Sequence, residues 1–125
     1  MLKNFGIIKR MRFGIMYEQG EIVIVPFPFS DLSSFKQRPV LILSKSKDNA
    51  ESEDIITCGI TSNLKNAKYS VLIDNLDLES GNIPSKSRIK IDKLFTLDKR
   101  IIKKKVARIN KQSFEKVKVQ FSNLL

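Results

Sequence analysis

Residues 20–29 read as an extended strand. Val23, Val25, Phe27 and Phe29 recur at every second position and so share one face. Pro26 and Pro28 occupy the other parity. Their missing N–H groups belong to one side of the strand, which cannot carry a full ladder there, so an edge strand or a barrel lip is expected. The polar tract 30–37 predicts a loop. Apolar runs then predict strands at 39–44, 54–60, 69–73, 88–91 and 105–109. Between them, 74–87 is rich in Asn, Asp, Ser and Gly, with Gly81 and Pro84 as breakers, and reads as a loop. The chain closes with a predicted helix over 111–123. Asn110 stands at its N-cap, and Phe114, Val117, Phe121 and Leu124 form one stripe that suits core or dimer packing. Short strands separated by turn signals make a mainly β protein, a small and strongly bent barrel with a C-terminal α-helix.

At 125 residues the chain suits one domain with a real core. Residues 1–15 read as a basic N-terminal extension, and 16–125 as the domain. Nothing approaches the ~20 apolar residues of a membrane-spanning helix. The 5–8 stretch is too short for a secretory core, so no membrane partner and a cytoplasmic location are expected. The single cysteine, Cys58, lies among Ile55, Ile56 and Thr57 and reads as a small buried hydrophobe.

Charge narrows the choice of partner. The formal net charge is +10; four of these charges belong to Lys3, Lys9, Arg10 and Arg12, which leaves the body clearly basic. That balance favours polyanions. Composition also limits the chemistry. There is no histidine and one cysteine, which removes Ser–His and Cys–His nucleophiles and gives poor support to a metal centre or other cofactor. The five glycines are scattered singly, so no phosphate-cradling loop is present. The economical option is metal-free phosphodiester transfer, in which an RNA 2′-hydroxyl attacks the neighbouring phosphorus. Arginine suits the developing charge, because its fork grips two phosphate oxygens and stays protonated. A Thr or Ser hydroxyl can add a hydrogen bond to the same oxygens.

Several segments, taken in order, carry a family resemblance. They are Gly20-Glu21-Ile22-Val23, Pro26-Phe27-Pro28-Phe29, Arg38-Pro39-Val40-Leu41, Ile60-Thr61-Ser62 and Lys93-Leu94-Phe95-Thr96-Leu97-Asp98. From about Met16 onward the chain resembles the MazF/PemK toxins of type II toxin–antitoxin systems. The resemblance implies an SH3-like barrel of the MazF/CcdB/Kid type and a homodimer that needs no metal. It implies an endoribonuclease that cuts single-stranded mRNA to 2′,3′-cyclic phosphate and 5′-hydroxyl ends. A cognate acidic antitoxin would restrain it, in a complex that binds DNA. The same likeness makes Arg38 and Thr61 the catalytic pair. Ser62 is adjacent, but side chains alternate along a strand, and Thr61 is favoured. Some members use a basic-x-Asp pair on a later strand. Here that strand reads Lys90-Ile91-Asp92, with lysine in place of the family's arginine, and Lys90 and Asp92 are expected on one face.

Lys36, Lys65 and Lys68 stand in predicted loops flanking this site, where phosphate contact is expected. Phe29 and Phe35 are candidates to stack an unpaired base. Gly59, inside a β-branched strand and just before Thr61, predicts a bulge or a close backbone approach. Two readings of other classes compete: a toxin of the same fold that poisons a protein such as DNA gyrase, and an RNA-binding barrel that cuts nothing.

Overall fold

The computed structural model describes residues 15–28 and 35–125. Phe29, most of the 30–37 tract, the side chain of Phe35 and almost all of the N-terminal extension lie outside that part. Seven strands occur there in the order β1 Glu21–Pro28, β2 Phe35–Ile42, β3 Asp54–Thr61, β4 Ser70–Ile73, β5 Leu78–Gly81, β6 Ser87–Asp98 and β7 Lys104–Ile109. A short helix, α1, spans Ser46–Glu51, and α2 spans Lys111–Leu124. The strands form one sheet, ordered β4-β6-β3-β2-β1-β7-β5, with every described pairing antiparallel. The result is the expected mainly β architecture, a curled half-barrel closed off by the C-terminal helix.

Both faces of the curled sheet are buried. On one face Ile22, Leu41, Cys58, Ile60, Ile89 and Ile91 pack with Val117 and Phe114 of α2. On the other, Val23, Val25, Val40, Ile42 and Ile55 form a smaller cluster, with Phe27 and Leu97 against it. Two-sided burial explains why the central strands are apolar at successive positions. It also fixes register strongly, since a one-residue slip would exchange the two cores. Asn110 caps α2 as expected, its side-chain oxygen accepting from the Ser113 N–H at 2.8 Å.

The proline strand needs a correction. β1 is central, paired with β2 on one side and β7 on the other. The edge character is local: β7 pairs only with Glu21–Ile24, and its last contact is Lys103 N–H donating to the Ile24 carbonyl. Pro26 and Pro28 come next on that same side, so their missing donors face the stretch where β7 has ended. Besides α1, which the sequence reading did not predict, three strands exceed it. β2 starts at Phe35, inside the predicted loop, because its first half is polar and open to a cleft. β5 lies in the predicted 74–87 loop. It has almost no apolar signature and is held by backbone pairing to β7. Gly81 permits that approach: at φ +76, a Cβ there would lie 2.2 Å from the Val106 carbonyl oxygen, so only glycine fits.

The third element is β6, expected to end at 91 but continuous to Asp98. Lys90 pairs with Gly59, yet Leu94 pairs with Cys58. Ile91, Asp92 and Lys93 are thus extra residues opposite a single step of β3. This bulge reverses the alternation of β6, so Arg88 and Lys90 share a face with Phe95 and Leu97.

Candidate nucleic-acid cleft

The register of the central strands builds the site. β2 and β3 pair Val40 with Gly59. The described β2–β3 ladder ends at that pair, and beyond it Arg38 and Pro39 of β2 and Ile60 and Thr61 of β3 border an open cleft. On the other flank of β3, Gly59 meets Lys90 and Thr61 meets Arg88. Arg38 and Thr61 line one cleft of about 380 Å³ with Phe27, Gly59, Lys90, Lys93 and Phe95. The β3–β4 connection completes it with Asn63, Lys65, Asn66 and Ala67. Twenty-three positions apart in sequence, the guanidinium and the hydroxyl share one open cavity.

The connection has its own scaffold. Thr61 Oγ1 accepts from the Asn63 N–H at 3.1 Å, and Asn63 Oδ1 from the Lys65 N–H at 3.0 Å, two side-chain turns that shape the loop. Beneath it lies Arg88, only 7% exposed. Its Nη1 donates to Ser70 Oγ at 2.8 Å, its Nη2 reaches the Leu64 carbonyl at 3.5 Å, and its buried Nε has no hydrogen-bond partner. Ser70 Oγ in turn donates to the Ala67 carbonyl at 2.6 Å. A buried guanidinium thus fastens both ends of the segment that carries Lys65 into the cleft.

Electrostatically the cleft is one-sided. Four cations line it (Arg38, Lys65, Lys90 and Lys93), and its described lining contains no carboxylate. Arg88 adds a fifth positive charge behind the β3–β4 loop. In a partly enclosed space such a cluster attracts a polyanion strongly.

Of the residues singled out from sequence, Arg38, Thr61, Lys65 and Lys90 meet here. Ser62, just past the end of β3, is exposed and does not line the cleft. Asp92 is not part of it either. The bulge breaks the expected pairing of faces, leaving Asp92 exposed while Lys93 takes the cleft position. Lys36 and Lys68 are exposed outside the lining; Lys36 pairs with Phe27 across β1 and β2. Gly59 is indeed next to a bulge, but the extra residues belong to β6. A Cβ on Gly59 would meet only ordinary contacts, Lys93 Cβ at 3.5 Å and Phe95 Cε2 at 3.7 Å. Sequence reasoning passed over Phe27, Asn63, Asn66, Lys93 and Phe95 as site residues. Lys93 and Phe95 were hidden by the assumption of unbroken period-2 alternation.

Cys58 is fully buried, and burial, with Asp92 nearby as a lesser cause, pushes its thiol up to about 12. It has no thiolate to offer as a nucleophile. Among the described residues no group of three or more His, Cys, Asp or Glu side chains is placed to hold a metal ion. No helix there is long and apolar enough to cross a membrane.

The profile of the PemK-like, MazF-like toxins of type II toxin–antitoxin systems matches residues 18–125, and the chain belongs to that family. Among solved structures, MazF in a MazE–MazF complex from Deinococcus radiodurans superposes with a TM-score of 0.72 at 20% identity, over 88% of this chain and 96% of that one. A mycobacterial endoribonuclease bound to its cognate antitoxin gives 0.69 at 17%, covering 86% and 92%. The Mycobacterium tuberculosis toxin MazF-mt6 gives 0.64 at 16%, covering 81% and 93%. At these identities the structures establish the shared fold. A comparison with curated protein sequences finds no match.

Proposed function

We propose that this toxin is an endoribonuclease that cuts single-stranded mRNA in the cytosol without a metal ion. The observation that supports the reading is the single cleft that Arg38 and Thr61 line together with Lys65, Lys90 and Lys93. An RNA strand laid there has its scissile phosphate between the guanidinium and the hydroxyl. The adjacent 2′-oxygen attacks phosphorus as its proton passes to water, the P–O5′ bond breaks as the 5′-oxygen takes a proton from the Lys90 ammonium, and the strand ends as a 2′,3′-cyclic phosphate and a 5′-hydroxyl. Arg38 holds the non-bridging oxygens as negative charge builds on them, and Thr61 adds a neutral hydrogen bond to the same oxygens. Lys90, next along the cleft, supplies a further cation and a proton-bearing group near the leaving oxygen. Asp92 has no part in this reading, since it does not line the cleft.

Two partners follow. An acidic antitoxin segment matches the cation-lined cleft and would exclude RNA from it; the solved mycobacterial and Deinococcus relatives were themselves crystallised with antitoxins. A second copy of the chain would cover the apolar groove between α2 and the sheet, where Ile56, Leu94 and Phe121 are exposed. A patch of that kind on a small domain marks an association surface.

The test is cleavage of a long mixed-sequence RNA in EDTA, with the ends mapped. Cutting is expected to persist, and Arg38→Ala to slow it by about 10²-fold or more, the usual cost of a lost transition-state donor. Activity that EDTA abolishes, or that Arg38→Ala leaves intact, would refute the mechanism. Growth arrest that survives Arg38→Ala would favour a poisoned protein target instead.

A further inference from the structure

Arg88 stands where a guanidinium stabilises the fold less than an apolar side chain of its length would. It is 7% exposed, its Nε is buried without a hydrogen-bond partner, and none of the ion pairs among the described residues includes it. A buried charge so poorly matched carries its desolvation cost with little return. What the guanidinium does is reach across the sheet. It donates to Ser70 Oγ at 2.8 Å and to the Leu64 carbonyl at 3.5 Å, and its backbone lies opposite Thr61 on β3 and Leu72 on β4. The segment 62–69 is thereby drawn down over β6. Its far end is held against local preference: Tyr69 has φ +53, a conformation that bulky side chains rarely adopt. The Tyr69 carbonyl accepts from the Ile91 N–H of β6 at 2.9 Å.

The near end of the same segment leads to the reacting hydroxyl. Thr61 Oγ1 accepts from the Asn63 N–H at 3.1 Å, and Asn63 directly precedes Leu64, whose carbonyl Arg88 holds. A hydroxyl has one hydrogen and two lone pairs. With a backbone N–H already on one side of Oγ1, its hydrogen must point elsewhere, and Thr61 lines the cleft. Resting on the ribonuclease reading above, we propose that Arg88 is a positioning residue for cleavage: by fixing residues 62–64 it keeps the Asn63 N–H on Thr61 Oγ1, so that the hydroxyl meets the scissile phosphate as a preset donor. Arg88 itself is not among the residues that line the cleft, and its effect reaches the phosphate through the loop. A preset donor stabilises the transition state because it needs no reorganisation as charge develops.

The test measures kcat on RNA for the wild type, Arg88→Met, Ser70→Ala and Thr61→Val, and for the two doubles that combine Thr61→Val with each of the others. Arg88→Met keeps the buried bulk and loses the fork, whereas Ser70→Ala keeps the guanidinium and removes its nearer acceptor. Each is expected to lower kcat by about 10-fold, a share of the roughly 10²-fold or more that follows complete loss of a transition-state donor. In the Thr61→Val background each should cost less than about threefold, because no hydroxyl is left to orient. Ser70→Ala carries the test by itself if Arg88→Met folds poorly. Equal losses with and without the Thr61 hydroxyl would show that Arg88 only supports the fold or acts as a distant charge, and would overturn the proposal. So would an unchanged kcat in Ser70→Ala. Failure of the wild type to cut any RNA is a separate result, which removes the ribonuclease reading and this role with it.

Discussion

Two regions of this basic protein hold their cations differently. Along the seam of β1 and β7, charge is matched. Lys105 Nζ lies 3.0 Å from Glu21, donates to the Met16 carbonyl and sits 5.5 Å from the centre of the Tyr17 ring. Arg108 reaches Glu18 at 2.9 Å and Glu79 at 3.6 Å. In the cleft, Lys65, Lys90 and Lys93 gather with Arg38, and the described lining offers no carboxylate. The seam, with two cations against three carboxylates, adds nothing to the net charge of +10, whereas the cleft lysines do and present it to a ligand. Net charge speeds capture of any polyanion; the location of the matching acids decides where the polyanion comes to rest.

The comparison can be broken most directly by removing each set of cations. Replacing Lys65, Lys90 and Lys93 together with alanine should weaken RNA binding at low salt by about 10-fold or more and flatten its salt dependence by about two units, at ~0.7 per lost single-strand phosphate contact. Replacing Lys105 and Arg108 should leave RNA affinity within about threefold and instead lower stability by about 1 kcal/mol in denaturant titration, the scale of partly exposed ion pairs. Equal losses of RNA binding from both sets would show that pairing does not decide which cations act.

A smaller effect is expected from Arg88, a cation that belongs to neither set because it is buried under the β3–β4 connection. Arg88→Ala removes the donors to Ser70 Oγ and the Leu64 carbonyl and should cost about 1–3 kcal/mol of stability. Hydrogen exchange of residues 62–69 should rise with it, and KM for RNA should rise as Lys65 loses its fixed position. Unchanged exchange in that segment would remove Arg88 from any scaffolding role.

The smallest effect concerns Cys58. Its folded thiol is raised to about 12, above the ~8.5 of a free thiol. Its contribution to stability is therefore complete below the unfolded value and is lost as pH climbs from there through the folded one. A thiol reagent at pH 8 should label native protein far more slowly than urea-unfolded protein. Rapid labelling of the native protein would mean that the sheet opens at β3.

Much of the fold could be read from sequence, because two-sided burial writes itself as apolar runs. β1, β3, β4, β7 and α2 each announce themselves in that way. β5 and the first half of β2 were missed for one physical reason: their side chains are not what holds them. β5 is exposed and rests on backbone pairing, and the first half of β2 is polar because it borders the cleft. The site was half legible. Arg38 and Thr61 stand on neighbouring strands just past the end of the β2–β3 ladder, and both line the cleft. Lys93 and Phe95 lie at and beyond a bulge, where counting by twos gives the wrong face, and Asp92 was misplaced for the same reason.

That bulge has a consequence for how the chain can change length. Past Lys90, every side chain of β6 is out of phase with those before it by an odd number of residues. Deleting Asp92 alone would turn Phe95 and Leu97 toward α2 and push Leu94 and Thr96 under the smaller core. Losing or gaining two residues would keep each side chain on its present side. In this tract, descendants of the gene can be trimmed or lengthened in even steps only, although it has the look of an ordinary exposed segment.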